Sequence, residues 1–169
     1  MKATEVLADA YGRVREVVHD VVEGLSAEEL NARIDPKANS ITWLVWHLAR
    51  VQDDHVADAS GQEQVWTAQD WFASFALPVP AEATGFGHTA TQVGKVVVES
   101  GELLLGYYDA VHEQSTAFIR GLAAADLERV VDERWDPPVT LGVRLVSVIA
   151  DDLQHAGQAA FVRGALQRR

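Results

Sequence analysis

Cysteine is absent from the 169-residue sequence. Its absence excludes a disulfide-stabilised scaffold, a zinc ribbon, an iron–sulfur cluster and a catalytic cysteine. A chain of this length can bury a core without such cross-links, and its hydrophobic content of 48% is that of an ordinary globular protein. The length predicts a single domain over residues 1–169.

Positive charge is scarce. The sequence has 14 Lys and Arg residues against 25 Asp and Glu residues, which gives a formal net charge of −11 at pH 7. Because negative charge repels nucleic-acid phosphates and anionic lipids, we expect neither a nucleic-acid partner nor a membrane-surface partner. The sequence has no apolar run near the ~20 residues of a membrane span and no apolar core of a signal peptide at its start. We therefore expect a cytoplasmic protein.

The sequence also lacks the alternation of apolar and polar residues that is typical of β-strands. Apolar residues recur instead at helical spacing, and each apolar stretch begins at a Thr or Ser that can cap a helix. The pattern predicts an all-α protein with four long helices, over residues 4–22, 41–59, 89–120 and 141–164. Shorter helices are expected after Ser26 and near Asp126.

Residues 62–88 are the least regular part of the sequence. They are rich in Trp and Phe and contain three turn signals, namely Pro78, Pro80 and Gly85-Phe86-Gly87. Long connections of this kind in compact proteins are usually functional. We therefore predict a four-helix bundle with a long crossover connection between the second and third long helices.

Two parts of the sequence resemble each other. Residues 24–30 and residues 121–127 share a Gly-Leu start and an acidic-Leu end, and a proline-containing turn, a Ser or Thr cap and a largely apolar helix follow each of them. This repetition indicates that the chain consists of two similar helix pairs. In such an arrangement the second and fourth long helices face one another.

The fourth helix carries Asp151 and His155, four residues apart. Side chains at this spacing lie ~6 Å apart on one helix face and can bind one metal ion together. His47 lies in the apolar half of the second helix, where an imidazole needs a polar partner. If the two helices face one another, these three residues form an open site like that of catalytic zinc. The alternatives are an ordinary pairing on the helix surface and a satisfied polar group in the core. Candidates for the acceptor that each ligating imidazole needs at its other nitrogen are Asp152, Gln154 and Gln158.

At this point the sequence resembles a known family. The motifs Trp43-x-x-Trp46-His47-Leu48-Ala49 and His155-Ala156-Gly157-Gln158 are similar to those of the DinB-like superfamily of metal-binding four-helix bundles. Residues 85–89 and 135–142 further resemble the actinobacterial branch that includes mycothiol-dependent maleylpyruvate isomerase and the mycothiol transferases. The resemblance covers nearly the whole chain.

The resemblance implies a divalent metal, zinc before nickel, held by His47, Asp151 and His155. The family commonly has a second His at the position of Asp151, and the mycothiol-dependent branch has a Glu there. Asp151 is thus one methylene shorter than a ligand that the branch already uses. Since the chain has no cysteine, the thiol would come from mycothiol, a cysteinyl pseudodisaccharide.

The function that the resemblance implies is a metal-dependent thiol transferase or isomerase acting on a small electrophilic substrate. His88, in a Gly-flanked loop, is a candidate acid–base or cofactor-contacting residue, with a helix-end contact as its alternative. Arg50 and Trp46 are candidate cofactor-binding residues, against surface exposure for Arg50 and core packing for Trp46. Two other functions stay open, a metal-dependent hydrolase of the same fold and a non-enzymatic stress-related protein. A homodimer through the helical faces or the crossover aromatics also stays open.

Overall fold

A computed structural model describes residues 2–168 of the protein. The elements in chain order are α1 (Ala3–Val22), α2 (Ala27–Asn31), α3 (Ile41–Ser60), α4 (Val65–Ala68), α5 (Trp71–Phe75), α6 (Ala90–Val93), α7 (Gly101–Gly121), a 3-10 helix (Ala124–Glu128), β1 (Val130–Asp132), β2 (Val139–Thr140) and α8 (Leu141–Leu166). The long helices α1, α3, α7 and α8 form a bundle, so the prediction of an all-α four-helix fold is confirmed. None of the helices within the described residues is long and apolar enough to cross a membrane.

The two helices of the predicted metal site begin at residues that the sequence marks as caps. The Ser40 hydroxyl accepts a hydrogen bond from the Trp43 backbone N–H at 3.1 Å, and the Thr140 hydroxyl accepts one from the Val143 N–H at 3.4 Å. Each bond satisfies an N–H that has no partner within its helix. α3 ends at Gly61, whose positive φ of 71° suits a residue without a side chain.

Contacts between side chains fix the directions of the long helices. α3 and α8 are antiparallel, because His47 lies beside His155 while His55 lies beside Arg144. α1 is antiparallel to α7 and parallel to α8. α3 and α7 therefore run in the same direction, and the chain between them must return along the bundle. This requirement explains the crossover, which extends from Gly61 to Ser100.

The crossover is held by Arg50, a fully buried residue of α3. Its guanidinium donates hydrogen bonds to the carbonyl oxygens of Ala81 and Ala83, to Gln64 Oε1 and to the Tyr107 hydroxyl, at 2.9–3.3 Å. Planar guanidinium groups offer five N–H donors in a fixed fork, which suits several acceptors at once. Arg50 thus fastens the middle of the crossover to the bundle.

Asp53, one turn further along α3, holds the start of the crossover. Its carboxylate accepts the backbone N–H groups of Val65 and Trp66 at 2.8 Å each, and the Tyr107 hydroxyl at 2.9 Å. It also lies 3.5 Å from Arg50, so two buried opposite charges compensate each other. Burial, above all, raises the pKa of Asp53, and these donors and the charge of Arg50 oppose that rise.

The prediction of a continuous third helix over 89–120 is wrong. Thr89 caps only the single-turn helix α6, and α7 begins at Gly101. Between them Val98 lies outside any helix, and its backbone N–H and C=O both bond to the side chain of Asn31, at 3.1 and 2.8 Å. The sequence pattern also missed the small antiparallel hairpin of β1 and β2.

Candidate metal centre

The structure brings together the three side chains that the sequence nominates as metal ligands. One ligand atom each from His47, Asp151 and His155 lies within 4.8 Å of the other two. His155 Nε2 is 3.7 Å from Asp151 Oδ1, and the two imidazole centroids are 4.7 Å apart with nearly perpendicular planes. His47 is buried, whereas Asp151 and His155 are partly exposed. The cluster therefore opens to solvent on the α8 side.

Both imidazoles are oriented through their Nδ1 atoms. His47 Nδ1 lies 2.5 Å from the carbonyl oxygen of Thr84, and His155 Nδ1 lies 3.1 Å from Gln158 Oε1. Because a carbonyl oxygen only accepts hydrogen bonds, each Nδ1 carries the proton and each Nε2 keeps its lone pair. The two Nε2 atoms are therefore available as metal ligands, in the arrangement usual for ligating histidines.

Gln158 is the one acceptor of the three nearby candidates that performs this task. Gln154 donates instead to the Ala150 carbonyl, within its own helix. Asp152 is fully buried in the bundle, and neither of its carboxylate oxygens has a hydrogen-bond partner within residues 2–168. The three candidates thus differ in the direction in which each side chain points from the helix. The spacing of the residues in the sequence does not predict that direction.

Asp151 supplies evidence that the cluster fits a cation. Its Oδ2 atom is buried and has no hydrogen-bond partner within residues 2–168. An unpaired buried carboxylate oxygen is costly, and a bound cation would remove that cost. Ligand bonds of 2.0–2.2 Å in a tetrahedral zinc site separate the ligand atoms by roughly 3.4 Å, close to the 3.7 Å between Asp151 and His155. These residues therefore fit a divalent metal.

The protonation state of His47 also suits a ligand. Burial, above all, lowers the pKa of this imidazole, and the neighbouring imidazole of His155 acts in the same direction. The Thr84 carbonyl and the Asp151 carboxylate oppose this effect. His47 is therefore neutral at pH 7, which is the form that binds metal.

Trp43 contacts all three histidines around the cluster, although the sequence pattern gave it no role. Its ring stacks on His47 with centroids 4.6 Å apart and meets His155 edge-on at 6.2 Å. Its indole N–H donates to His88 Nδ1 at 3.2 Å. The signal was available in the sequence, since Trp43 precedes His47 by four residues and thus lies on the same helix face.

Gly85 brings the crossover against His47. A Cβ at this position would lie 2.8 Å from His47 Nδ1 and 3.0 Å from the ring of Trp46. The residue also has a φ of +95°, which disfavours any side chain. Only glycine therefore allows the neighbouring Thr84 carbonyl to reach the imidazole.

His88 lies at the edge of the site with its Nδ1 already used. Because the indole N–H of Trp43 can only donate, His88 Nδ1 accepts, and the neutral ring carries its proton on Nε2. Burial lowers the pKa of His88, which favours this neutral form. His88 thus presents a hydrogen-bond donor, an arrangement suited to contacting a ligand rather than to removing a proton.

Trp46 and Arg50 are both fully buried. Trp46 lies beneath His88, with ring centroids 5.9 Å apart, and Arg50 bonds to the crossover. Direct contact of these two side chains with a cofactor stays an untested prediction. In the structure both support the crossover residues that border the site.

Comparison with known proteins agrees with this architecture. Residues 10–159, which include all three candidate ligands, match the model of the DinB superfamily. A crystal structure described as the conserved protein of a locus from Enterococcus faecalis has 34% sequence identity and a TM-score of 0.90, and the match covers 96% of each chain. No curated protein matches the sequence. On the extent of these matches, the chain belongs to the DinB superfamily.

Proposed function

We propose that this protein is a metal-dependent enzyme that joins a low-molecular-weight thiol, mycothiol in particular, to a small electrophilic substrate. The observation that carries the proposal is the cluster of His47, Asp151 and His155. Both Nε2 lone pairs are free for a ligand, and the buried Asp151 Oδ2 has no hydrogen-bond partner in the described part of the chain. Three protein ligands are typical of catalytic zinc sites, whereas structural sites use four. Zinc and nickel both suit these ligands, and zinc is the metal we propose first.

A divalent cation bound by these residues would act as a Lewis acid and lower the pKa of a thiol that coordinates it. The protein leaves one side of the cluster open to a reactant and covers the other side. Asp151 is 39% exposed in its side chain and His155 is 18% exposed, whereas Trp43 and Gly85 cover His47. A reactant therefore approaches from the α8 side, and His88, which contacts Trp43, offers its Nε2–H as a hydrogen-bond donor.

The reaction we propose is a substitution or a reversible addition. In the substitution, the sulfur of the thiol forms a bond to the electrophilic carbon, the leaving group departs with its bonding electron pair, and the thiol proton passes to solvent. In the isomerisation, the sulfur forms a bond to one carbon of a C=C double bond that is conjugated with a carbonyl, and the π electrons move towards the carbonyl oxygen. After rotation about the resulting single bond the electrons return, the double bond re-forms and the sulfur–carbon bond breaks, which releases the thiol. His88 would donate a hydrogen bond to an oxygen of the substrate in either case.

The direct test is formation of a thioether. The zinc-loaded protein is mixed with mycothiol and 1-chloro-2,4-dinitrobenzene, and the adduct is measured by mass spectrometry. We expect adduct formation above the rate without protein, loss of that excess in His155→Ala, and retention in His112→Ala, a variant of a half-buried histidine on α7. An equal rate with and without protein would contradict the proposal.

The same preparation separates the alternatives. A hydrolysed ester substrate without any thioether would favour a metal-dependent hydrolase, and bound metal without either product would favour a non-enzymatic role. Replacing mycothiol by glutathione tests the choice of thiol. The cytoplasmic location and the homodimer remain predictions that fractionation and sedimentation can check.

A further inference from the structure

A groove of about 390 Å³ leads away from the candidate metal centre. It lies between α3 and α8, with the β1–β2 hairpin as its outer wall, and one end is bordered by Asp151. We call it the α3–α8 groove; the lining residues used below are His55, Asp151, Arg144, Trp135, Val139 and Val143. Asp151, a partly exposed candidate ligand, is thus shared by the groove and the cluster.

His55 presents a hydrogen-bond donor in this groove. Arg144 Nη1 lies 3.2 Å from His55 Nδ1. Because a guanidinium has donors only, Nδ1 must accept, and the proton of the neutral ring sits on Nε2. Burial and the positive charge of Arg144 lower the pKa of His55, which favours that neutral form. His55 is therefore fixed as a donor through Nε2.

Arg144 is itself held in place by the hairpin. Its Nη2 lies 3.2 Å from Asp132 Oδ2 on β1, and Asp132 also binds Arg134 at 2.8 Å. These charge-assisted bonds connect the outer wall of the groove to α8. The orientation of His55 therefore depends on a built network and not on a flexible surface contact.

Trp135 provides an apolar surface at the outer wall. Trp135 is 65% exposed, whereas Trp43, Trp46 and Trp66 are at most 6% exposed. Val139 and Val143 line the same groove. An exposed indole beside a groove offers a flat face on which an aromatic or other planar apolar group can stack.

The spacing along α3 sets the length of a ligand that uses all these groups. His47 and His55 are eight residues apart, which corresponds to ~12 Å along the helix. Asp151 lies between them on the antiparallel helix α8, since His47 lies beside His155 and His55 lies beside Arg144. A ligand that reaches from the cluster to His55 and Trp135 must therefore be elongated.

We propose that the α3–α8 groove binds the body of an elongated substrate. The reactive end lies at the metal cluster, a carbonyl or carboxylate oxygen accepts the Nε2–H of His55, and a flat apolar group stacks on Trp135. This proposal rests on the proposed function, because it takes the cluster as the reactive end. His55 and Trp135 thus determine specificity without being metal ligands.

The test uses the cobalt-loaded full chain and two thiol probes, whose sulfur anchors each probe at the metal so that the rest of the molecule reports what the groove binds. N-benzyl-4-mercaptobutanamide carries a thiol, an amide oxygen and a phenyl ring, whereas N-methyl-4-mercaptobutanamide lacks the ring. Binding is measured by the sulfur-to-cobalt charge-transfer absorption, and stacking by quenching of Trp fluorescence. We expect the wild-type protein to bind the benzyl probe about 5- to 10-fold more tightly than the methyl probe, as one aromatic contact is worth about 1 kcal/mol.

The variants assign the two contacts. Trp135→Ala should remove the preference for the benzyl probe, while Phe161→Ala, which removes an aromatic residue of similar exposure (63%) outside the groove, should keep it. His55→Phe should weaken both probes about fivefold through loss of one hydrogen bond. Should His55→Phe fail to fold, Trp135→Ala at the exposed hairpin still tests whether the groove binds the probe.

The outcomes distinguish this proposal from the one on which it rests. Equal binding of the two probes by the wild-type protein, or a benzyl preference that survives Trp135→Ala, would overturn the groove proposal alone. Absence of the charge-transfer band with both probes would show that thiols do not bind the metal, and would overturn the proposed function as well.

Discussion

Gln158 follows His155 by three residues, and its Oε1 lies 3.1 Å from the Nδ1 of that imidazole. Groups that hold a ligating histidine in this way are typically worth 10- to 100-fold in metal affinity. We therefore expect Gln158→Ala to weaken zinc binding by about that factor, measured by competition with a chromophoric chelator.

Gln154 provides the matched control for this change. It lies on the same helix, and among residues 2–168 its side chain bonds only to the Ala150 carbonyl. Gln154→Ala should leave zinc affinity unchanged. Equal affinities of the two variants would mean that the contact with Gln158 does not orient His155.

Gly85 gives a second prediction at the scale of one residue. In Gly85→Ala the new methyl group meets His47 Nδ1, so either the imidazole or the Thr84 carbonyl must move. Gly87→Ala also has a positive φ, of 73°, but a Cβ there meets nothing within 4 Å. Both variants should lose about 1 kcal/mol of stability from backbone strain, measured by urea unfolding. Only Gly85→Ala should also lose zinc affinity, and equal zinc binding by both would contradict the close approach.

Asp152 predicts a dependence of stability on pH. Both of its carboxylate oxygens are buried without a partner within the described residues, and burial, above all, raises its pKa well above the ordinary value. Above about pH 4 the unfolded chain releases this proton while the folded chain keeps it, so stability falls as pH rises. The variant Asp152→Asn has no ionisable group at this position, so its stability should not fall with pH for this reason.

The measurement is urea unfolding of both metal-free proteins at pH 5 and pH 8. The variant should gain stability relative to wild type by up to ~1.4 kcal/mol for each pH unit between the unfolded and folded pKa values. A difference between the two proteins that is the same at both pH values would contradict a raised pKa for Asp152.

At the residue scale, the sequence predicts which side chains could bind a metal better than it predicts which backbone groups contact them. His47, Asp151 and His155 could be nominated because helical spacing and the repeated helix pair place them on facing surfaces. The Thr84 carbonyl could not, because it lies 37 residues from His47 and every residue has a carbonyl. The position of Gly85 against His47 depends on the same tertiary contact.

The crossover is the element whose position the site needs most. Arg50 holds the carbonyls of Ala81 and Ala83, and the next carbonyl along the chain, that of Thr84, binds His47. Arg50 also compensates the buried charge of Asp53. The crossover thus connects a buried ion pair to the orientation of a metal ligand.

This connection predicts a double effect of Arg50→Met. Removal of one partner of a buried ion pair typically costs 3–5 kcal/mol, because the other charge stays buried. Zinc affinity should fall as well, by about tenfold or more, since the Thr84 carbonyl loses its support. The two effects are measured by urea unfolding and by chelator competition.

Arg13→Ala is the control for this variant. Arg13 forms an exposed ion pair with Asp9 on α1, and exposed pairs contribute little. Its unfolding midpoint and zinc affinity should match the wild type. An Arg50→Met protein that is destabilised but binds zinc with wild-type affinity would show that the crossover does not position His47.

At the scale of elements, local signals predict where helices begin and fail where distant residues intervene. Ser40 and Thr140 mark the starts of α3 and α8 in the sequence as in the structure. The break before α7 is different, because the side chain of Asn31, 67 residues from Val98, satisfies the backbone groups that a helix would otherwise pair. No local pattern contains that information.

For the whole molecule, the bundle topology determines whether a site exists. The repeated helix pair indicates that the second and fourth long helices face each other, and α3 and α8 do pack together as antiparallel neighbours. Only this pairing brings one residue of α3 against two residues of α8. The central claim is therefore a property of the assembled fold, namely that one cation is held jointly by His47, Asp151 and His155.

Zinc titration of the metal-free protein, followed by competition with a chromophoric chelator, tests that claim most directly. We expect one ion per wild-type chain and a loss of affinity of more than about 100-fold in His47→Ala and Asp151→Ala, since ligands are worth more than the groups that orient them. His112→Ala, on α7, should bind as the wild type does. Wild-type protein that takes up no stoichiometric zinc, or His47→Ala protein that binds zinc as tightly as wild type, would contradict the account.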